Sequence, residues 1–477
     1  MTRRTFSSAL LGSPLALRAA ATNRPNIVVV LCDDLGYGDV RAFYPEAKMA
    51  TPRMDGLARE GMKFLDAHSP SAVCTPTRYG LMTGRYCWRT KLKSGVLNGY
   101  SPALIEPGRE TIASALKKQG YRTGAFGKWH LGFGTEAKVD YAKVFSPSPL
   151  DQGFDEYFGI PASLDMPPYV FVDGNRAVEA PTSTIGDSGE VKRGPYWRGG
   201  PMAPGFKMED VVPKITDRAC KFIEREAKGS APFFVYVPLT GPHTPWVPSK
   251  PFQKKSKAGL YGDFVEEIDA SIGRIADRLK ASGVASNTLL IVTSDNGAPW
   301  EKRDAAEAAG HWAPAKWRGQ KSDIQEGGHR IPFIARWPGK IKAGSSSNAL
   351  ICHTDIFATV AEVAGVTLAS EMAEDSISFA PVLLGKTAKG KREAVVHHSG
   401  NGLFSIRSGE WKLIEGRGSG GFTNPAKVEP SPGDPVGELY HLKEDPHEDR
   451  NLYAQMPDMV KRLSSMLDEW RRAGRSR

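Results

Sequence analysis

Two short runs of hard oxygen donors stand at the ends of apolar segments. Asp33-Asp34 follows residues 26–32, and Asp295-Asn296 follows residues 288–293. Carboxylate and amide oxygens suit Ca2+ or Mg2+, whereas zinc would call for more histidine or thiolate. One such pair is an ordinary turn or helix cap. Two pairs at comparable strand ends make a cation site the better reading. Lys128, His130, His243 and Lys321 add donors that would balance an anionic group and the charge that develops in its transition state. Any one of them alone would be a surface or hydrogen-bonded residue, so the reading depends on convergence. Five cysteines, Cys32, Cys74, Cys87, Cys220 and Cys352, cannot all pair, and none lies in a C-x-x-C zinc spacing. No disulfide framework is expected, and the odd thiol calls for a chemical reason.

Convergence is a matter of topology. Residues 26–32 and 288–293 are continuous β-branched apolar runs, the pattern of buried parallel strands. Residues 232–237 repeat it and run into Gly241-Pro242-His243. A shorter strand at 122–126 leads into Gly127-Lys128-Trp129-His130. Between them Val265, Ile268, Ile272, Ile275 and Leu279 recur at three and four, as a helix on a sheet requires. Val211, Val212, Ile215, Ala219 and Phe222 make a second such stripe, and Ile112 with Leu116 a third. The alternation predicts an α/β fold, a large mostly parallel sheet sandwiched by helices. Ligands gather at the carboxyl ends of such strands, where the polar clusters would meet.

Residues 134–205 break the rhythm. They are rich in Pro and Gly, carry Tyr157, Tyr169, Tyr196 and Trp197, and read as an insertion over the site that sets substrate choice. The catalytic unit is thus expected over 22–390. From 391 to 477 short alternating strands (403–406, 410–414) and a final helix at 457–471 indicate a smaller C-terminal α+β domain.

With 40% hydrophobic and 24% charged residues among 477, the chain has a folded globular composition. Its net charge of +10 favours anionic ligands. No basic stripe, finger or aromatic–basic array of a nucleic-acid binder is present, and the dense basic run at 471–477 reads as a solvated tail. An anionic small molecule or polysaccharide remains. Residues 1–21 read as an export signal: Thr2-Arg3-Arg4-Thr5-Phe6 is twin-arginine-like, and Ala19-Ala20-Ala21 offers an A-x-A cleavage site. An ordinary secretion signal is the alternative. Either gives an exported protein, periplasmic or extracellular in a bacterium, and no later run reaches the ~18 apolar residues of a membrane span. Nucleotide motifs fail. Gly36-Tyr37-Gly38 is followed by Arg41 where the dinucleotide fingerprint needs Gly or Ala, and Gly385-Lys386-Thr387 has Ala380 in place of the P-loop's earlier glycine.

Cys74-Thr75-Pro76-Thr77-Arg78, with Thr83-Gly84-Arg85 beyond it, resembles the type I sulfatase signature, C-x-P-x-R followed by T-G-R. The order of the other clusters is similar too: Asp-Asp before it, then Gly-Lys-Trp-His, Pro-His, Asp-Asn-Gly and Gly-Gln-Lys…Glu-Gly-Gly. The resemblance implies an alkaline phosphatase-like fold and a sulfuric ester hydrolase. It implies that a maturation enzyme oxidises Cys74 to formylglycine (3-oxoalanine), whose hydrate is the nucleophile, with Arg78 holding it. Asp33, Asp34, Asp295 and Asn296 would bind Ca2+ together with the oxygen at position 74. Lys128, His243 and Lys321 would grip the sulfate, one donor protonating the leaving group, and His130 would help regenerate the aldehyde. Ser163 resembles a sulfate-site position. A hydrated aldehyde suits the task because one hydroxyl can attack sulfur and the other can later expel sulfate, whereas Cys or Ser would leave a stable ester. Thr77 stands where many members have Ser. An Ala/Trp-rich stretch around 305–317 makes Lys316 a competitor of Lys321. The other four cysteines are expected in the core.

Residues 163–169 resemble bacterial carbohydrate sulfatases, including those similar to N-acetylgalactosamine-6-sulfatase, so a sulfated carbohydrate is the expected substrate. Trp246 and Trp312 could stack on sugar rings, and His397, His398 and Asn401 could reach the substrate from the C-terminal domain. The alternatives are a phosphodiesterase or phosphonate monoester hydrolase of the same superfamily, and a non-catalytic sulfoglycan-binding protein in which Cys74 stays a thiol.

Overall fold

The computed structural model describes residues 24–189, 194–300 and 305–477. The expected export signal at 1–21 lies outside them. Six strands carry the architecture: β1 (Asn26–Asp33), β2 (Arg122–Lys128), β3 (Glu156–Ile160), β4 (Phe233–Pro242), β5 (Thr288–Ser294) and β6 (Phe333–Arg336). They belong to a ten-stranded sheet in which β5, β1, β4, β2 and β3 are consecutive neighbours and every pairing among them is parallel. Every residue of β1, β4 and β5 is buried. Their apolar runs reflect this, since a parallel strand covered on both faces has no polar side to show.

Antiparallel pairings flank this parallel centre, beyond which Ser345–Ser347 lies parallel to Met62–Phe64 at one edge. On one side β6 runs against β5 and Met62–Phe64 against β6; on the other, Val172–Asp173 and Arg176–Ala177 form a hairpin on β3. The sheet as a whole is therefore mixed, with a parallel centre. Part of 134–205 departs from its reading as an insertion. β3 lies within it and pairs with β2 from Gly124↔Glu156 to Lys128↔Ile160. Its Glu-Tyr-Phe-Gly-Ile run holds a single β-branched residue, so the strand signal was weak amid turn residues.

Helices α1 (Cys74–Thr83), α2 (Ile112–Lys117), α3 (Val211–Glu226), α4 (Gly259–Ala281) and α5 (Asp355–Ala364) cover the sheet. They fall into two groups, α3 with α4 and α1 with α2 and α5. Val265, Ile268, Ile272, Ile275 and Leu279 of α4 are all buried. The C-terminal unit is a four-stranded antiparallel sheet (Ala394–His398, Phe404–Ser408, Trp411–Ile414, Glu438–His441) with the helix Pro457–Ala473 laid on it. Leu463 and Leu467 of that helix share a core with Val395, Ile406, Leu413 and Leu439. No helix among the described residues is long and apolar enough to cross a membrane.

Candidate active site

The polar clusters converge because their strands are neighbours running the same way. β1 ends on Asp33-Asp34, β5 on Ser294 followed by Asp295-Asn296, β4 on Pro242 followed by His243, and β2 on Lys128. Beside this edge α1 begins at Cys74 and is buried along its whole length. The first residue of a helix lies next to unpaired N–H groups, a setting that favours negative charge.

Two backbone turns at the edge are held in the left-handed region, Asp34 at φ 65° and His130 at φ 56°. Such residues cost on the order of 1–3 kcal/mol and persist where their surroundings hold them. Asp34 N donates to Asp295 Oδ1 at 3.1 Å and Leu35 N to Ser294 Oγ at 2.9 Å, tying the two acidic turns together.

The side chains form one buried charge network. Arg78 Nη2 donates to Asp295 Oδ2 at 2.7 Å and lies 3.5 Å from Asp33 Oδ1, while its Nη1 donates to Lys128 O at 3.0 Å. Lys128 Nζ donates to Asp33 Oδ2 at 2.7 Å, and Lys321 Nζ lies 2.8 Å from the Asp34 carboxylate. Asn296 Nδ2 donates to Asp34 Oδ1 at 2.7 Å. His243 Nδ1 donates to Thr244 O at 2.5 Å and turns Nε2 toward Asp34, 3.7 Å away. Burial would raise the Asp33 pKa, but Lys128, His243 and Arg78 overcome it and hold the carboxyl below its usual range. Burial equally opposes the charge on Lys321, and Asp34 leads the groups that keep it protonated.

Cys74 and His130 are held uncharged. Burial pushes the Cys74 thiol up to about 12 despite Lys128 and Lys321, so at neutral pH it is a thiol and a poor nucleophile. Burial, followed by Lys128 and Arg78, holds His130 well below the usual histidine value. Its Nε2 donates to Leu97 O at 2.7 Å, which leaves Nδ1 as a buried lone pair with no partner.

Asp33 Oδ1 and Asn296 Oδ1 are buried and accept no hydrogen bond, an arrangement that costs about 1–3 kcal/mol or more per group unless something meets it. Asp33, Asp34, Cys74 and His243 each offer an atom within 4.8 Å of the others. The Asp33 and Asp34 carboxylates with the free Asn296 amide oxygen are the donors in this cluster that fit a hard divalent cation.

Lys321, not Lys316, enters the network. Lys316 is exposed and lies over the Trp317 ring at 4.9 Å. Ser163 and His398 stay outside the hydrogen-bonded set. Ser163 Oγ is buried and unpartnered in the turn after β3, a turn whose Pro161 carbonyl accepts from His130 N. The His398 carbonyl accepts from Ser71 Oγ and Ala72 N, just before Cys74, while its ring is buried and lies against Phe404, at 6.0 Å between centroids. His397 stacks on His329 in a separate cluster. Asn401 is exposed. Trp246 is buried against Tyr261, and Trp312 is 38% exposed. The four other cysteines are buried and free, as expected.

Three supporting contacts were not legible in the sequence. Thr75 Oγ1 donates to His130 O at 3.1 Å and accepts from Leu97 N, so the first variable position of the signature braces His130. Thr77 keeps a hydroxyl and uses it on Ser71 O at 3.1 Å. Asp323 accepts from Gln320 N, Phe422 N, Thr423 N and Thr423 Oγ1, pinning the turn that carries Lys321 to the C-terminal unit. Nothing in its sequence context separates it from other turn acids.

Comparisons with known proteins identify the family. The sulfatase family model matches residues 25–366, and one described as N-sulphoglucosamine sulphohydrolase, C-terminal, matches 320–473. The chain is 34% identical to N-acetylgalactosamine-6-O-sulfatase of Bacteroides thetaiotaomicron, over 94% of this chain and 93% of the relative. It is 34% identical to human N-acetylgalactosamine-6-sulfatase, over 83% of this chain and 72% of the relative. A solved structure from work on glycosaminoglycan metabolism by Bacteroides thetaiotaomicron superposes with a TM-score of 0.84 at 34% identity, covering 94% of this chain and 99% of that one. The phosphonate monoester hydrolase of Agrobacterium radiobacter shares the fold alone, at a TM-score of 0.60 and 18% identity over 94% of this chain and 96% of that one. The sheet is thus alkaline phosphatase-like. With the family model spanning most of its length and a relative of this identity covering nearly all of it, the chain belongs to the sulfatases, hydrolases of sulfuric esters.

Proposed function

We propose that this sulfatase is exported and removes sulfate from a sulfated glycan, with position 74 as nucleophile after oxidation to formylglycine and with Ca2+ in the acidic turns. The observation that carries the mechanism is the orphaned pair Asp33 Oδ1 and Asn296 Oδ1 beside a thiol too basic to react. The buried set holds three acidic side chains (Asp33, Asp34, Asp295) against three basic ones (Arg78, Lys128, Lys321). A divalent cation would leave such a balanced site positive, and the single negative charge of a sulfate monoester would offset part of that excess.

Asp33, Asp34, Asp295 and Asn296 would hold the cation, which when bound neutralises ester oxygens and lowers the pKa of a coordinated hydroxyl. Formylglycine at position 74, when formed, supplies a hydrate with one hydroxyl to attack sulfur and a second to release the product. Lys128, on Asp33, and Lys321, on Asp34, would clamp the sulfate oxygens. His243, with its Nδ1 proton held on Thr244 O, would carry the leaving-group proton on Nε2. Neutral His130 would take up a proton at Nδ1. The glycan rests on the relatives, which include sulfatases named for N-acetylgalactosamine 6-sulfate. Export rests on the arginine pair and the Ala-rich stretch of residues 1–21.

The test is inorganic sulfate released by protein co-expressed with a maturation enzyme, from defined sulfated sugars beside an aryl sulfate, with Cys74→Ala as control. Preferential release from one sugar position supports the reading. With formylglycine confirmed by peptide mass, release from the aryl ester alone overturns the glycan, and phosphate release exceeding sulfate release overturns the proposed substrate chemistry.

A further inference from the structure

Away from the catalytic edge, a groove of about 1300 Å³ runs along the seam between the main sheet and the C-terminal unit. Its floor is ionic but satisfied: Asp66 receives Arg330 at 2.8 Å and Arg407 at 2.7 Å. Its walls are not. Lys389 and Lys391, from the loop before the C-terminal sheet, and Arg462, from the last helix, line the groove and are exposed. None of the three has an ionic partner among the described residues. Lys443 is 3.3 Å from Glu410, and Glu393 is the one acidic lining residue without a cation among the described residues. Between the cations lies apolar surface, the half-buried Trp411 with Met459 and Met466. No lining residue hydrogen-bonds or ion-pairs with Asp34, Lys128, His243 or Lys321.

We propose that this groove is a second, non-catalytic binding site for a stretch of sulfated glycan, holding a substrate chain at a distance from the residue being hydrolysed. The chemistry matches on both counts. Unpaired lysine and arginine attract an anionic chain, and arginine offers a planar fork for sulfate or carboxylate oxygens. An aromatic and thioether surface between them accepts the apolar faces of sugar rings, where a purely electrostatic patch would offer none. The groove admits several sugar units, more than one anion needs. The choice of occupant rests on the glycan reading of the active site, whereas the site itself rests on its own residues.

The measurement therefore avoids turnover. In a Cys74→Ala background, the Kd of a fluorescently labelled sulfated decasaccharide is compared between Lys389→Ala/Lys391→Ala/Arg462→Ala and a charge-matched control, Lys221→Ala/Lys228→Ala/Lys280→Ala, whose lysines are exposed on or just beyond the helices α3 and α4. At least tenfold weaker binding by the groove triple, with less than threefold for the control, is expected. With Cys74 restored, sulfate release from a monosaccharide should stay within twofold while KM for the polysaccharide rises about tenfold. Equal losses in the two triples, or none, overturn the site. An oligonucleotide of equal charge bound as tightly overturns the glycan as its occupant. Absence of turnover on every sulfate ester would sink the catalytic reading and leave the Kd comparison standing.

Discussion

At the scale of single residues, function here depends on which atoms lack partners. Asp33 Oδ1, Asn296 Oδ1 and His130 Nδ1 are buried and unbonded, so the site is incomplete as a set of protein groups alone. Chelation should lower both sulfate release and thermal midpoint, and added Ca2+ should restore both. A cation present at 100 times its Kd stabilises by about 2.7 kcal/mol, so an unchanged midpoint after verified metal removal would rule it out. Lys321 and Lys316 provide a second contrast. Lys321→Ala should reduce kcat/KM by about 10²–10³-fold, the loss typical of one preorganised charge donor. Lys316→Ala, which removes a side chain lying on Trp317 at the surface, should stay within twofold. Steady-state kinetics on the same ester decides between them.

At the scale of elements, the site is positioned by close strand contacts. Gly127, one residue before Lys128, sits at φ 144°, and a Cβ there would come within 1.9 Å of Pro238 O in β4. The missing side chain is what lets β2 run close beside β4 and bring Lys128 to Asp33. Gly127→Ala should therefore cost more than 4 kcal/mol, beyond the common ~0.5–3 kcal/mol range of substitutions, and should appear as a large fall in denaturation midpoint or as insoluble protein. The turn carrying Lys321 is held differently. Ser322 N donates to Ala72 O, Gly400 N donates to Ser322 O, and Asp323 gathers the Phe422–Thr423 turn. The C-terminal unit thus fixes Lys321 while lying beyond the strands that bear the other groups.

At the scale of the whole molecule, the seam between the two units is built from buried histidines and ion pairs. His68 is pushed down to about 4, His353 to about 3 and His398 to about 4, in each case first by burial. The unfolded value is near 6.5, so the unfolded chain binds more protons below that pH. The stabilisation is fully present above pH 6.5 and is lost as pH falls toward 4. Each histidine should remove about 2 kcal/mol by pH 5. Urea midpoints measured from pH 7 to pH 5 should fall steadily, and His398→Gln should flatten the slope. A midpoint independent of pH over that range would contradict the neutral buried rings.

Much of the fold and most of the site were legible in the sequence, because the evidence was local. The fully buried β1, β4 and β5 are apolar through their centres, so they announced themselves, and each carried its polar residues at or immediately after its end. The signature around Cys74 and the order of the clusters then identified the family. Relations made by distant chain were not legible. β3 is short, aromatic and surrounded by turns, and only its pairing with β2 makes it a sheet strand. Lys321 and Lys316 are equally basic five residues apart, and the pinning by Asp323, Ala72 and Gly400 selects the first. His397 and His398 are adjacent on one strand and so point to opposite faces; one ring joins His68 and His329, and the other lies against Phe404. Residue type and spacing alone determined which chemistry the chain can perform. The long-range packing of strands and loops decided which copies of each residue type perform it.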